Sequence, residues 1–301
     1  MDRKERLLSL FDASGVGLEI GPSFNPLLPK RDGHNVETLD QLSAADLREK
    51  YRNAPNVDLS AIEEVDYLSD GGSILKLIDK PGHYDYIVAS HVIEHTTDLL
   101  GFVSDCEQLL KSTGILVLSV PDKRFAFDCL RPCSTTGQVL QAHLEQRKRH
   151  TPGQVFDEVA YNCLRAGAGA WTREDTGPLA FFRPLADAQE VFEELRHRDR
   201  FHDIHAWQFT PSTFRLIMSD LAGIGAIGLR EKSFEDTVEY EFLVSLSKAG
   251  AGCPVDRLTL ARQAVTEQNA IRVDEVTQGD TAHPGPEGQI TNATSPGSTS
   301  P

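Results

Sequence analysis

The sequence predicts an α/β fold: a doubly wound, mostly parallel sheet with an antiparallel edge and a helical insertion. Three observations predict it. Short apolar runs at residues 16–21, 35–40, 84–89 and 115–120 alternate with helix-like stretches. The run at 115–120, Ile-Leu-Val-Leu-Ser-Val, is nearly all apolar, as a central strand covered on both faces must be. Two strand-like runs at 228–234 and 240–247 then follow too closely for a helical crossover, which predicts an antiparallel edge.

In chain order, residues 1–11 carry Asp2, Arg3, Lys4, Glu5 and Arg6 ahead of a short apolar run, which reads as a surface helix and not as a secretory leader. Residues 16–21 form a short apolar strand broken by Gly21, and 35–40 form a second that ends in Asp40. A third lies at 57–59 or at 64–68, before the Asp70-Gly71-Gly72 turn. Residues 84–89 are a buried strand, and 99–110 have helical apolar spacing that Lys111 and Gly114 bring to an end. From 121 to about 205 the chain turns charged, aromatic and histidine-rich, with helical segments expected at 139–149 and 186–195. An amphipathic helix at 211–221 and the two edge strands resume the sheet. A helix is expected at 255–268, and the Gly-, Pro-, Ser- and Thr-rich remainder reads as a disordered tail. The expected organisation is therefore a nucleotide-binding half over 1–120, an insertion or cap with the acceptor region over 121–210, a closing helix and edge strands over 211–248, and a mostly disordered tail over 249–301.

Bulk properties narrow the function. The 301 residues, 40% hydrophobic, suffice for a sizeable core. A formal net charge of −15 argues against a protein whose main task is gripping nucleic-acid phosphates. No run is long enough to span a membrane. Five irregularly spaced cysteines (106, 129, 133, 163 and 253) suit a reducing setting, so a cytoplasmic location is expected. The Asn292-Ala293-Thr294 sequon is read as a chance match.

The chemistry-bearing residues fall at strand ends. In Leu18-Glu19-Ile20-Gly21-Pro22 a glycine closes the first strand, where the backbone can turn sharply and approach a ligand. Asp40 ends the second strand about twenty residues on, where an acid accepts hydrogen bonds from ribose hydroxyls. His91-Val92-Ile93-Glu94-His95 matches the H-x-x-E-H pattern of inverted zinc peptidases. That chemistry needs the motif within a long helix and a third ligand, whereas here it directly follows a buried strand, at the edge where an open α/β sheet binds its ligand. No metal is therefore expected, and Cys129 and Cys133 lack the matching second pair that would make one. Residues 121–131 and 143–150 are placed to build an acceptor pocket or, for 143–150, a solvated charged helix. His202, His205 and Trp207 are further candidates for the pocket wall, although a tryptophan ahead of a helix is more often core.

With Leu-Glu-Ile-Gly-Pro at 18–22, Thr-Leu-Asp at 38–40, Ser-His-Val-Ile-Glu-His at 90–95, Leu-Leu-Lys-Ser-Thr-Gly at 109–114 and Leu-Ser-Val-Pro-Asp at 118–122, the chain resembles the class I methyltransferases. Within them it is most similar to the type 11 group often associated with glycan and cell-surface polysaccharide synthesis. The resemblance spans about residues 15–125 and, at 228–247, the final hairpin. It implies a Rossmann-like fold and S-adenosyl-L-methionine as cofactor. Glu19 and Gly21 would belong to the cofactor loop, Asp40 would hold the ribose, Asp70 and Gly71 would lie by the adenine, and Ser90 and His91 would line the methionine end. Gly21-Pro22-Ser23 departs from the family's commoner glycine repeat. That loop is a poor pyrophosphate site, and S-adenosylmethionine has no pyrophosphate. The expected activity is methyl transfer, O-methylation of a glycan or other small polar acceptor, with His91, His95 or His143 as the base if one is used. A non-catalytic partner module of a biosynthetic complex and a nicotinamide-dependent oxidoreductase are the rival readings.

Overall fold

A computed structural model describes residues 1–198 and 200–271. Asp2 opens helix α1 (Arg3–Leu8) with a capping box completed by Glu5, which satisfies two amides at an otherwise short helix. Strand β1 (Gly17–Ile20) is followed by β2 (Val36–Asp40), by helix α2 (Ala44–Lys50) capped by Ser43, and by the two-residue β3 (Tyr67–Leu68). Helix α3 (Ile74–Ile78), strand β4 (Tyr84–Ser90) and helix α4 (Leu99–Leu109), capped by Asp98, lead into β5 (Leu110–Pro121). The third strand thus falls within 64–68. The fifth starts at Leu110, earlier than its apolar run suggests, because Leu110 pairs with Tyr84 and an irregularity absorbs the polar residues after it.

After β5 come helices α5 (Thr136–Leu144) and α6 (Pro152–Tyr161), a small hairpin of β6 (Cys163–Arg165) and β7 (Leu179–Phe181), and helix α7 (Leu185–Leu195). The helix expected at 139–149 begins earlier and stops at Leu144, since Thr135 and Gln138 cap its start, and the basic run that follows is not helical. Helix α8 (Pro211–Gly223) and the pair β8 (Arg230–Val238) and β9 (Glu241–Ser247) complete the sheet. Helix α9 (Arg257–Asn269) packs on α8, with Glu267 accepting from the Ser212 amide at 3.0 Å and its hydroxyl at 2.7 Å. Beyond residue 271 the expected tail, with the sequon at 292–294, lies outside the described residues.

The seven strands are ordered β3-β2-β1-β4-β5-β9-β8. Pairings from β3 to β5 are parallel, and β9 joins antiparallel to both β5 and β8. This is the Rossmann-like, mostly parallel sheet with an antiparallel edge that the sequence predicts. Strand alternation divides the core between two faces. Ile87, Ala89, Leu116, Leu118, Val244 and Leu246 pack with α4 and α8, whereas Tyr86, Val88, Ile115, Val117 and Leu243 pack with Leu7 of α1 and with Leu27 and Leu28. Each such side chain, fully buried, contributes roughly 1.5–3 kcal/mol, so both faces hold the sheet edge that follows rigidly in place. Strand order reverses between β1 and β4, which opens a crevice at their carboxyl ends. Among the described residues no helix is long and apolar enough to cross a membrane.

Candidate functional site

The crevice brings the expected loop residues together. Gly21 has φ +70°, its amide donates to the Leu39 carbonyl at 2.8 Å, and a Cβ there would stand 2.7 Å from Val92 Cγ2. Only glycine suits both conditions, so the first loop is pressed against the segment that leaves β4. Ser23, also at positive φ, donates its amide to Asp40 Oδ2 at 3.1 Å, while Asp40 Oδ1 accepts from the Gln41 and Leu42 amides. Burial pushes the Asp40 carboxyl above its usual range, against these amides, which favour the charged form. The Asp40 carbonyl accepts from the Ser69 amide at 2.8 Å, so the turn carrying Asp70 and Gly71 is tied to the end of β2. Asp70 Oδ1 accepts from Gly72.

Glu19 is tied to the loop that follows β1. It is buried, with Oε1 accepting from the Leu27 amide at 2.6 Å and Oε2 from the Leu28 amide at 3.1 Å. Both oxygens brace the loop from behind. Burial raises its pKa and the two amides oppose that rise.

At the end of β4, His91 adopts φ +53°. Its Nε2 lies 2.7 Å from Glu241 Oε2, and Arg3 donates to the same carboxylate through Nε at 2.7 Å and Nη2 at 2.9 Å. Arg3 Nη2 also donates to Ser90 Oγ at 2.6 Å. Burial alone would lower the His91 pKa, but the bond to Glu241, with Glu94 beside it, pushes it up to about 9. His95 Nδ1 lies 2.9 Å from Asp203 Oδ1, and there too the carboxylate outweighs burial and pushes the pKa up to about 9. Each imidazole is thus held by a carboxylate partner at the edge where β4 ends. His143, on α5, is half exposed and pairs with Asp98 at 2.9 Å; it belongs to a separate pair from those of His91 and His95.

The insertion covers this edge. The Lys148 carbonyl lies 3.6 Å from where a Cβ on Gly71 would stand, and Thr97 donates its hydroxyl to the Arg147 carbonyl at 2.9 Å. Beyond them a cavity of about 380 Å³ is lined by Arg149, His150, Arg196, His197, Arg198 and Arg200, among others. The charges at 121–131, in contrast, are largely internal ties and not the open pocket wall expected. Lys123 donates to the Cys129 carbonyl, Arg124 pairs with the fully buried Asp122, and Arg131 bridges Glu158 and the His205 carbonyl. Trp207 is core, its Nε1 donating to the Thr96 carbonyl at 2.6 Å. His205 packs edge-on against His95, ring centroids 4.7 Å apart.

Sequence reasoning missed Arg3, Glu241 and Asp203. For Glu241 a signal existed, a charge heading the apolar run Phe-Leu-Val-Ser-Leu. The other two sit in charged stretches where nothing local distinguishes them.

Residues 1–220 match a family profile described as a methyltransferase domain. A search of curated proteins finds no match. Solved structures similar in fold include an S-adenosylmethionine-dependent methyltransferase from Aquifex aeolicus, 14% identical, covering 81% of this chain and 88% of that one at TM-score 0.41. A Listeria monocytogenes protein assigned as an S-adenosylmethionine-dependent methyltransferase is 11% identical, with coverages of 81% and 96% and a TM-score of 0.43. A Rhodobacter sphaeroides protein assigned to the zinc-dependent alcohol dehydrogenases is 14% identical, with coverages of 82% and 89% and a TM-score of 0.44. At such scores the weight rests on the family match.

Proposed function

Because this chain belongs to the class I S-adenosylmethionine-dependent methyltransferases, we propose that it methylates an oxygen of a small polar acceptor, of the glycan type or another bearing acidic groups. The residues at the crevice fit the cofactor. Gly21 keeps the backbone clear of a side chain where the loop meets Val92, and Asp40 ends β2 as the acid for the ribose. Asp70 and Gly71 are proposed beside the adenine, with Ser90 and His91 at the methionine end and Glu19 as the brace of the loop. When bound, S-adenosylmethionine supplies an electrophilic methyl group on sulfur. The chain's own contribution is positioning: the post-β4 segment, locked by Arg3 and Glu241, and the insertion above it hold the acceptor in line and limit water. If a base is used in this reading, His91, His95 or His143 supplies it.

The acceptor class rests on one observation, the arginine- and histidine-lined cavity at the insertion. Arg196 pairs with Glu193, and Arg198 and Arg200 share Glu194, so three guanidinium groups meet two carboxylates there; in a chain of net charge −15 this local surplus of cations favours a ligand with carboxylate or phosphate groups. The test is calorimetric titration with S-adenosylhomocysteine, on the native chain and on Asp40→Ala, followed by an acceptor screen with acidic and neutral sugars. Expected are binding that the variant weakens by at least about tenfold, the size of one charged hydrogen-bond pair, and methylation of acidic acceptors. Binding of S-adenosylhomocysteine without turnover of any acceptor would favour the partner-module reading.

A further inference from the structure

We propose that Glu94, His95 and His205 form a three-ligand site for a divalent transition-metal ion, departing from the expectation of no metal. One donor atom from each of these residues lies within 4.8 Å of the other two. Tetrahedral donors sharing one ion at about 2.1 Å are about 3.4 Å apart, so closing on the ion shortens the widest donor separation by up to about 1.4 Å.

Three features point to a ligand. Glu94 is fully buried, yet neither of its carboxylate oxygens has a hydrogen-bond partner. Its Oε1 lies 3.5 Å from His91 Nδ1 and 3.9 Å from His95 Nε2, beyond hydrogen-bond range. Such a group calls for a cation. Each histidine is also already oriented as metal-binding histidines are. His95 Nδ1 pairs with Asp203 at 2.9 Å and His205 Nδ1 with Asp128 at 3.1 Å, which leaves Nε2 of each ring to offer. Finally, the backbone fixes the two segments together. The Glu94 carbonyl accepts from the amides of Ala206 at 2.8 Å and Trp207 at 3.2 Å, and Arg131 donates to the His205 carbonyl at 2.6 Å.

Two imidazoles and one carboxylate suit zinc, manganese, iron(II) or cobalt, and not magnesium or calcium, which prefer all-oxygen shells. The arrangement differs from the peptidase pattern within 91–95. His91 is turned away to Glu241, and the second imidazole comes from His205, more than a hundred residues later. Three protein ligands leave a coordination position open. On the methyl-transfer reading, an ion held there would polarise an acceptor oxygen at that position and ease loss of its proton. The site itself does not rest on that reading.

The test uses the full chain, stripped with chelator and titrated with Co²⁺ by visible absorption and with Zn²⁺ by calorimetry. One Co²⁺ per chain is expected, with ligand-field bands and no thiolate charge-transfer band. Glu94→Gln and His205→Gln should each weaken binding by at least about 100-fold, and Asp203→Asn, which keeps every ligand, by about 10–100-fold. Circular dichroism of each variant confirms that it is folded, and the three variants are read independently. Absence of binding, affinity unchanged in Glu94→Gln and His205→Gln, or a thiolate band assigning the ion to Cys129 and Cys163 would each overturn the proposal. S-adenosylhomocysteine titration of the same samples separates this outcome from failure of the methyltransferase reading.

Discussion

At the residue scale the site depends on what is withheld as much as on what is present. Gly21 offers no side chain where one would strike Val92, and its φ of +70° excludes most alternatives. Gly21→Ala is expected to cost about 1–3 kcal/mol of stability, from the positive φ and the contact together, and to weaken S-adenosylhomocysteine binding by about tenfold or more. Urea denaturation and calorimetry check the two effects separately; a variant with unchanged affinity would remove Gly21 from the cofactor loop. Glu19 shows that a motif residue can act through the fold. Its two oxygens are spent on the Leu27 and Leu28 amides, so its contribution is the shape of the loop.

At the element scale, four separate pieces of chain meet at one carboxylate. Glu241, at the start of β9, receives Arg3 from α1, His91 from the end of β4 and Ser119 from β5. Burial alone would raise its pKa, but His91 and Arg3 bring it down to about 2. A carboxylate whose folded pKa lies below its unfolded value of 4.5 adds stability that is fully present above pH 4.5 and is lost as pH falls toward 2. The size is on the order of 3 kcal/mol. Thermal melts of the native chain should therefore decline through that window, and Glu241→Gln should start lower and decline less. Equal slopes for the two would remove Glu241 as the origin of the acid sensitivity. The strands themselves were legible because uninterrupted apolar runs such as 115–120 have few other uses. Helix α6 was not foreseen, although Thr151-Pro152-Gly153-Gln154 carries the capping pair and the proline of a helix start. The partner of His91 at the end of β4 was illegible for a physical reason: Glu241 lies about 150 positions away, and only the sheet order brings it beside the ring.

At the scale of the whole molecule, an acidic protein keeps a basic cavity in its insertion. Replacing Arg196 and Arg200 together by alanine should raise the KM for an acidic acceptor several-fold and flatten its dependence on ionic strength, while kcat and S-adenosylhomocysteine affinity stay unchanged. Steady-state kinetics at two salt concentrations distinguish this from a general loss of structure, which would lower all of them. The bond between Arg3 and Glu241 spans 238 positions of sequence. During synthesis at roughly 5–20 residues per second, the first helix therefore emerges from the ribosome some tens of seconds before its partner strand exists. Until then the sheet has an open flank at β5. Translation that stalls within the insertion would leave that flank exposed to chaperones or to neighbouring nascent chains.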